Sequence, residues 1–277
     1  MVEFGAVAFV FVAGLLTAIA TGIGAVPFFF LDDISDRWNV VLWGLASGIM
    51  VSASVFGLVL EGLAEGSLYE TIRLGSVPFP SGVVPGLAAG VVLVVAAHRV
   101  IDGYEVSPRR YEAANFKKLL LILGILTVHS FPEGVAVGVS FAELGFEGGI
   151  PIFGFTVPLL AVFMTVAISI HNVPEGVAIS IPLRSMEVPE WRMVWWAVFS
   201  SLPQPLGAVI AFYFVRIARE FLPFGFGFAA GAMVFLVATE FIPEALEIGE
   251  RLPSGGRPEL VAGLLAGFAV MAPLAVV

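Results

Sequence analysis

The segment from Val157 to Leu183, VPLLAVFMTVAISIHNVPEGVAISIPL, decides what kind of fold this chain adopts. It is 27 residues long, almost entirely apolar, and contains no lysine; its one run of polar groups surrounds His171 and Glu175. About 20 apolar residues are enough to carry an α-helix across the ~30 Å hydrocarbon core of a bilayer. The segment therefore predicts a membrane-spanning helix with two polar ligands near its middle.

A second apolar segment, residues 119–141, carries the same motif. The motif reads HSFPEG at residues 129–134 and HNVPEG at residues 171–176. Residues four apart share one face of a helix, so His129 with Glu133, and His171 with Glu175, point the same way. A carboxylate near the bilayer centre costs at least ~2.5–3.5 kcal/mol, which indicates a use for both glutamates. Two such faces brought together supply four ligands, and we interpret them as a cation site.

The composition of the whole chain is that of a membrane protein. Of its 277 residues 59% are hydrophobic and 13% charged, whereas a soluble domain carries about 25% charged residues. Its mean hydropathy is +1.01. We predict an all-α polytopic protein with one transmembrane domain, residues 1–277. Its eight apolar spans lie at about 5–31, 40–61, 82–101, 119–141, 157–183, 193–215, 222–243 and 259–277.

The positive charges predict the orientation. Ten of the 13 lysines and arginines fall in loops that follow odd-numbered spans or in the last residues of those spans, and three fall in the other loops. The positive-inside rule places the first set of loops in the cytoplasm. We therefore expect a multi-pass protein of the cell membrane with both termini on the extracellular or periplasmic side.

Charge and cysteine content exclude several functions. The net charge is −9 and the basic residues cluster near 109–118, which does not suit a nucleic-acid partner. Topology and contact with anionic lipids account for that cluster better. The chain has no cysteine, so it forms no disulfide and no thiolate metal site.

The sequence also contains an internal repeat. A shift of 183 residues matches Gly24-Ala25-Val26 with Gly207-Ala208-Val209, and it matches further residues of spans two and seven. A shift of 177 residues matches span three with span eight. Five spans separate each pair, so the two three-helix units run in opposite directions. This predicts an inverted repeat of helices 1–3 and 6–8, with the two motif helices between them in a 3+2+3 arrangement.

The alternative for each motif is that the histidine only hydrogen-bonds its own glutamate, or that a protonated glutamate caps a helix kink. Two copies at similar depth, with no lysine or arginine between residues 119 and 183, disfavour that alternative. Two neutral imidazoles and two carboxylates would bring a divalent cation to local neutrality. Pro132 and Pro174 lack an N–H group, so we expect them to release backbone carbonyls and bend the helices at the site.

At these residues the chain resembles the ZIP (Zrt/Irt-like) family of divalent metal transporters, in particular its bacterial and archaeal branch. The resemblance covers nearly the whole chain, and it includes TGIGA at residues 21–25 and GAM at residues 231–233. It implies a transporter domain with a metal path between helices two, four, five and seven. It also implies uptake into the cytoplasm, a homodimer in many members, and an elevator-like sliding of the central helices against the outer ones.

The chain departs from this branch at the position of a second metal. Many members hold that metal with residues that here are Ser130, Asn172 and Gln204, all uncharged. We therefore predict one main site and a weak or absent second one.

Other acidic residues are candidates for the entrance and the exit of a path. Glu61 and Glu65 end span two, and Glu240 and Glu244 end span seven, although ordinary interfacial carboxylates explain them equally well. His98 lies four residues before Asp102 at the end of span three, and we interpret it as a solvated interfacial histidine.

The ligand types limit the ion. Two imidazoles and two carboxylates suit Zn²⁺, Fe²⁺, Mn²⁺, Co²⁺ or Cd²⁺ as a bound transport substrate, with Zn²⁺ first because of the resemblance and the paired histidines. A metal-selective channel with the same ligands is an open alternative. An intramembrane zinc hydrolase is a weaker one, because it predicts a His-Glu-x-x-His motif or a third buried histidine with a spare acid, and the sequence offers neither.

Overall fold

The structure, a computed structural model, describes residues 4–69, 71–74, 77–102, 129–146 and 148–272. Three parts of the sequence prediction lie outside these residues. They are the basic loop at 109–118, the first half of the fourth span at 119–128, and the end of the eighth span at 273–277. The described chain is mostly helical, as the sequence predicts.

The described residues include eight helices. A helix that contains a π-helical segment, a 3₁₀ segment or a short turn is counted as one. The eight helices are α1 (Phe4–Ile23), α2 (Asp36–Glu65), α3 (Val83–Asp102), α4 (129–140), α5 (Leu159–Ser185), α6 (Glu190–Ile217), α7 (Arg219–Gly249) and α8 (Arg257–Met271). Six of them are long and apolar enough to cross a membrane, namely α1, α2, α3, α5, α6 and α7. The chain is thus a multi-pass membrane protein, while the arrangement with eight spans stays a prediction.

Helix bounds differ from the prediction where proline changes the backbone. The first predicted span continues to residue 31, but α1 ends at Ile23 and a 3₁₀ turn with Pro27 follows. Helix α6 is interrupted by a turn at Ser201 and Leu202. It restarts at Pro203, because proline has no N–H group to continue a helix but suits its first position.

Two helices contain a π-helical segment. In α2 the segment is Ala53–Val59, and in α7 it is Val237–Phe241. Pro243 follows the second segment, and its ring displaces the carbonyl of Thr239 from a regular α-helical bond. The 183-residue shift found in the sequence lays the first segment over the second. Segments of this kind are frequent at functional sites.

Glycines allow neighbouring helices to approach each other closely. Gly44 and Gly48 of α2 lie against α8, and Gly227 and Gly231 of α7 lie against α3. A Cβ at any of these four positions would overlap the backbone of the neighbouring helix. The 183-residue shift carries the first pair of glycines onto the second, so the two contacts use equivalent residues. Small residues that admit close backbone approach are typical of membrane helix pairs.

A glycine in each motif makes the same kind of close contact with a neighbouring helix. On α5, a Cβ at Gly176 would overlap the carbonyl oxygen of Thr21 in α1. On α4, a Cβ at Gly134 would overlap the carbonyl oxygen of Gln204 in α6. Each motif glycine therefore brings its helix directly against a partner, α1 for the second motif and α6 for the first.

Two short antiparallel hairpins lie in loops and were not predicted. β1 (Thr71–Leu74) pairs with β2 (Val77–Pro80), and β3 (Ile150–Ile152) pairs with β4 (Phe155–Val157). The turn of the second hairpin has positive φ at Phe153 and Gly154, which matches the right-handed twist of its strands. These few residues leave the fold essentially all-α.

Candidate metal centre

Three ligand side chains from α4 and α5 meet inside the protein. Nε2 of His171 lies 3.3 Å from Oε1 of Glu133 and 3.3 Å from Oε1 of Glu175. Ligand atoms of these three residues all lie within 4.8 Å of one another. Each side chain is at most 2% exposed. The structure thus brings the two motifs together, as the repeated pattern predicts.

The spacing along α5 explains why His171 and Glu175 are close together, and helix packing explains why Glu133 reaches them. His171 and Glu175 converge because they are one turn apart on α5, which continues through Pro174 and Pro182. Glu133 reaches them from α4. Both helices are held closely to α1 and α6 by Gly176 and Gly134, so the carboxylate of one motif faces the imidazole of the other.

Unpartnered polar atoms concentrate at this cluster. Among the described residues, eleven buried side-chain nitrogen and oxygen atoms make no hydrogen bond. Seven belong to the motifs: Nδ1 and Nε2 of both His129 and His171, Oε1 of Glu133, Oε1 of Glu175, and Oδ1 of Asn172. Three of the seven, Nε2 of His171 and the two Oε1 atoms, face one another at 3.3 Å without hydrogen-bond geometry. Because buried polar groups are almost always satisfied, such a group of atoms needs an additional partner. A cation supplies one for several atoms at once.

His129 lies beside the cluster and not within it. Its side chain is buried, one helical turn before Glu133. Its ring centroid is 6.0 Å from that of His98 in α3 and 6.2 Å from that of Phe241 in α7. Of the four predicted ligands, the structure therefore brings three into mutual reach, and it places the fourth next to them on the side of α3 and α7.

An aromatic ring covers the cluster from α7. The ring of Phe241 stacks on the imidazole of His171, with 5.4 Å between centroids and 13° between planes. The same ring packs edge-on against Trp43 of α2 at 4.8 Å. Phe241 is buried and ends the π-helical segment, so a side chain of α7 lies directly against one member of the cluster.

The residues predicted for a weak second site hydrogen-bond to other protein groups. Nε2 of Gln204 donates to Oε2 of Glu133 at 2.5 Å, and Nδ2 of Asn172 donates to Oε1 of Gln204 at 3.0 Å. The Ser130 hydroxyl donates to the carbonyl of Ser200 at 3.1 Å. Thr17 joins this network from α1, and sequence reasoning missed it because its distance in sequence from the motifs hides the contact.

The four candidate entrance and exit residues are not members of the three-residue cluster. Glu65 is exposed at the end of α2, and Glu61, Glu240 and Glu244 are partly exposed on α2 and α7. Oε1 of Glu240 lies 3.4 Å from Nε2 of His98. The sequence interpretation treated His98 as a solvated interfacial histidine, whereas its side chain is only 19% exposed and faces Glu240. Nothing in the sequence indicates this contact, because Glu240 lies on another helix far along the chain.

These features define a class of protein: a multi-pass membrane protein with a buried site of one imidazole and two carboxylates, flanked by a second imidazole. The class is consistent with comparisons to known proteins. The family model described as "ZIP Zinc transporter" matches residues 106–275.

Relatives cover most of the chain. Zinc transporter ZIPB of Bordetella bronchiseptica is 35% identical over 91% of this chain and 75% of its own length. Zinc transporter ZupT of Corynebacterium aurimucosum is 31% identical over 98% of this chain and 97% of its own. A protein of Arabidopsis thaliana is 39% identical over 84% of this chain. The matched region is only 34% of the length of that protein. The chain belongs to the ZIP family.

Proposed function

We propose that the protein carries Zn²⁺ across the membrane into the cytoplasm. The observation that carries the proposal is the buried cluster of Glu133, His171 and Glu175, which holds two carboxylates and unpartnered ligand atoms within long apolar helices. Membrane-embedded carboxylates are costly unless an ion or a proton uses them. The names of the relatives, which are zinc transporters, support the choice of ion.

His129 completes the proposed ligand set. Zinc in proteins takes four ligands at about 2.0–2.2 Å from nitrogen and oxygen. The three clustered residues provide three, and both ring nitrogens of His129 lack hydrogen-bond partners among the described residues. The proposed site is therefore His129, Glu133, His171 and Glu175, and an ion would draw the His129 ring toward the other three. Fe²⁺, Mn²⁺, Co²⁺ and Cd²⁺ suit the same ligands and are the proposed competitors.

The proposed mechanism is alternating access by an elevator-like movement. Its support lies in how the helices are grouped: α4 and α5 contact α6 and α1 through the motif glycines, while α2 contacts α8 and α7 contacts α3 through their own glycines. Close backbone contact within each group favours movement of the ligand helices as a unit. The equivalent glycines and π-helical segments of α2 and α7 support the inverted repeat on which such a movement depends.

A carrier is favoured over a channel by the packing around the ligands. The three side chains are buried, and the Phe241 ring lies directly on His171. A channel needs a continuous polar path past the site. The proposal further includes entry and exit past Glu61, Glu65, Glu240 and Glu244, a cell-membrane location with both termini outside, and a homodimer, as the family resemblance implies.

Uptake into proteoliposomes tests the function. Vesicles containing a zinc-sensitive dye are prepared with the unaltered protein, with Glu133→Ala/Glu175→Ala, and with Glu247→Gln, which changes an exposed glutamate of α7 outside the site. We expect saturable uptake with the first and third proteins and none with the second. Competition by Fe²⁺, Mn²⁺ and Cd²⁺ gives the selectivity. Equal zinc entry in the double variant would contradict the proposal.

A further inference from the structure

The helices of the described chain form two packing groups. One group consists of α1, α4, α5 and α6, and the other of α2, α3, α7 and α8. The grouping follows from the described glycines: wherever a Cβ would overlap the backbone of another helix, both helices belong to the same group. Gly225 of α7 faces Val139 of α4 across the two groups, and there a Cβ would meet side-chain atoms only. The groups thus contact each other through side chains, which can separate more readily than interlocked backbones.

Ala218 is the whole link between α6 and α7, which belong to different groups. Helix α6 ends at Ile217 and α7 begins at Arg219. The backbone of Ala218 leaves helical geometry, with φ −125° and ψ 69°. Any movement of one group against the other must therefore bend the chain at or beside this residue. The positive-inside rule places this link on the extracellular or periplasmic side.

Arg216 ties the segment that follows α4 to the end of α6. Its guanidinium group donates hydrogen bonds to the carbonyl oxygens of Ala142 at 3.2 Å and of Leu144 at 3.1 Å. It also lies over the ring of Phe146, 5.0 Å from the centroid, where a cation is attracted to the face of the ring. Because α4 and α6 are in the same group, these contacts fix residues 142–146 to that group.

Arg219 holds the same segment from the other group. It forms an ion pair with Glu143, and its guanidinium carbon lies 5.4 Å from the ring centroid of Phe146. Three other arginine pairs stay within one group: Arg37 with Glu259, Arg184 with Glu190, and Arg251 with Asp36. The pair of Arg219 and Glu143 therefore bridges the two groups directly beside their covalent link.

A second carboxylate gives this ion pair its importance. Glu61 of α2 lies close enough to Glu143 for the two negative charges to repel each other. These glutamates belong to different groups, so their repulsion pushes the groups apart at this end. Arg219 offsets the repulsion by pairing with Glu143. Loss of the arginine would remove an attraction between the groups and leave the repulsion in place.

We propose that Arg219 and Glu143 form an outer latch, an ion pair that holds the two packing groups together at the α6–α7 link and opens when the ligand helices move. The proposal deepens the proposed function and rests on its alternating-access mechanism. Both side chains are partly exposed, at 51% and 37%. An exposed ion pair shifts an equilibrium by about two- to fivefold, so the latch biases the position of the groups and does not lock it.

The first experiment measures separation of the groups with a cysteine at Val139. The chain has no cysteine of its own, and Val139 is buried against the other group. In proteoliposomes, we expect a maleimide to modify Val139→Cys about two- to fivefold faster when Arg219→Gln is also present. Glu143→Gln should have a smaller effect, because it removes the repulsion from Glu61 together with the attraction. Both effects should vanish at about 1 M salt, where the Debye length is about 3 Å.

Arg184→Gln is the matched control for this measurement. Arg184 pairs with Asp32 at 2.7 Å and with Glu190 at 2.9 Å, both within or beside its own packing group. Its loss should leave the modification rate unchanged. Equal rates in Arg219→Gln and Arg184→Gln would overturn the proposal. A larger effect of Glu143→Gln than of Arg219→Gln would overturn it as well.

The second experiment closes the latch covalently. A short bifunctional methanethiosulfonate reagent links the two cysteines of Glu143→Cys/Arg219→Cys. We expect zinc uptake to stop and to return after reduction, because the link prevents the groups from separating at this end. The control is Arg184→Cys/Glu190→Cys, in which the same reagent joins α5 to α6 within one group and should leave uptake intact. Normal uptake by the linked 143–219 protein would show that the latch does not open.

The latch and the transport function fail in different ways. If the unaltered protein moves no zinc, the transport function is wrong, yet the modification rate of Val139→Cys still tests the latch. If uptake is normal and the Arg219→Gln rate equals that of the unaltered pair, only the latch is wrong. Thermal unfolding of every variant, followed by fluorescence-detected size exclusion, confirms that the proteins compared are folded.

Discussion

The imidazole of His171 lies flat against the ring of Phe241, with centroids 5.4 Å apart and planes inclined by 13°. The histidine belongs to α5, and the phenylalanine belongs to the π-helical segment of α7. The contact therefore joins α5, which lies against α1 through Gly176, to α7, which lies against α3 through Gly227 and Gly231. The two rings thus belong to different packing groups. Any sliding of one group against the other must separate these two rings.

Replacing Phe241 should expose the site. In Phe241→Ala we expect faster zinc dissociation, measured by stopped flow with a fluorescent chelator, because water gains access to the His171 side of the ion. We also expect a lower unfolding temperature, since Phe-to-Ala changes in cores cost about 3–5 kcal/mol. Phe241→Leu, which keeps an apolar cover, should retain slow dissociation. Phe268→Ala, at a partly exposed ring of α8, serves as control. Equal dissociation rates in all four proteins would exclude Phe241 as a cover.

The two motif histidines should differ in their effect on zinc binding. Zinc at 100 times its Kd stabilises a protein by about 2.7 kcal/mol, so it should raise the unfolding temperature of the unaltered protein. We expect His171→Ala to abolish this rise, because His171 lies between both carboxylates. His129→Ala should keep part of it, because His129 lies outside the three-residue cluster. The measurement is thermal unfolding with and without zinc. An unchanged rise in His171→Ala would argue against the site.

A single methyl group at Gly176 should disturb the site through the contact between α5 and α1. In Gly176→Ala the new Cβ meets the backbone of Thr21, so α1 and α5 must move apart. We expect a loss of stability of about 1–3 kcal/mol, as for other overpacked positions, and a reduced zinc uptake. The control is Gly5→Ala in α1, where the Cβ would meet only a side-chain atom of Phe155 at 3.3 Å. If both variants have the same unfolding temperature, the close contact is not required.

The absence of cysteine allows a direct test of orientation. A cysteine introduced at Phe153, which is 92% exposed at the tip of the β3–β4 hairpin, should react with an impermeant maleimide added outside intact cells. A cysteine at Glu250, in the turn after α7, should react only after the cells are opened. This pattern follows from the positive-inside orientation. The reverse labelling would show that both termini lie in the cytoplasm.

Much of the site could be predicted from sequence because its signal is local. The four-residue spacing of histidine and glutamate puts both on one helix face. Glu133 and Glu175 lie in apolar segments, where burial of a carboxylate is costly, and this indicates a functional role. The helices were predictable for the same reason, since length and apolar composition alone identify a span. Their ends were less predictable, because Pro27 and Pro203 alter the backbone in ways that hydropathy does not register.

What the sequence by itself determined is the helical membrane class and the two copies of a histidine–glutamate motif, both of which depend on residues close together in the chain. Only the tertiary structure decided which ligands meet and what surrounds them. It placed His129 beside the cluster, stacked Phe241 on His171, and brought His98 to Glu240 and Gln204 to Glu133. These contacts join residues far apart in sequence, so no local pattern along the chain predicts them.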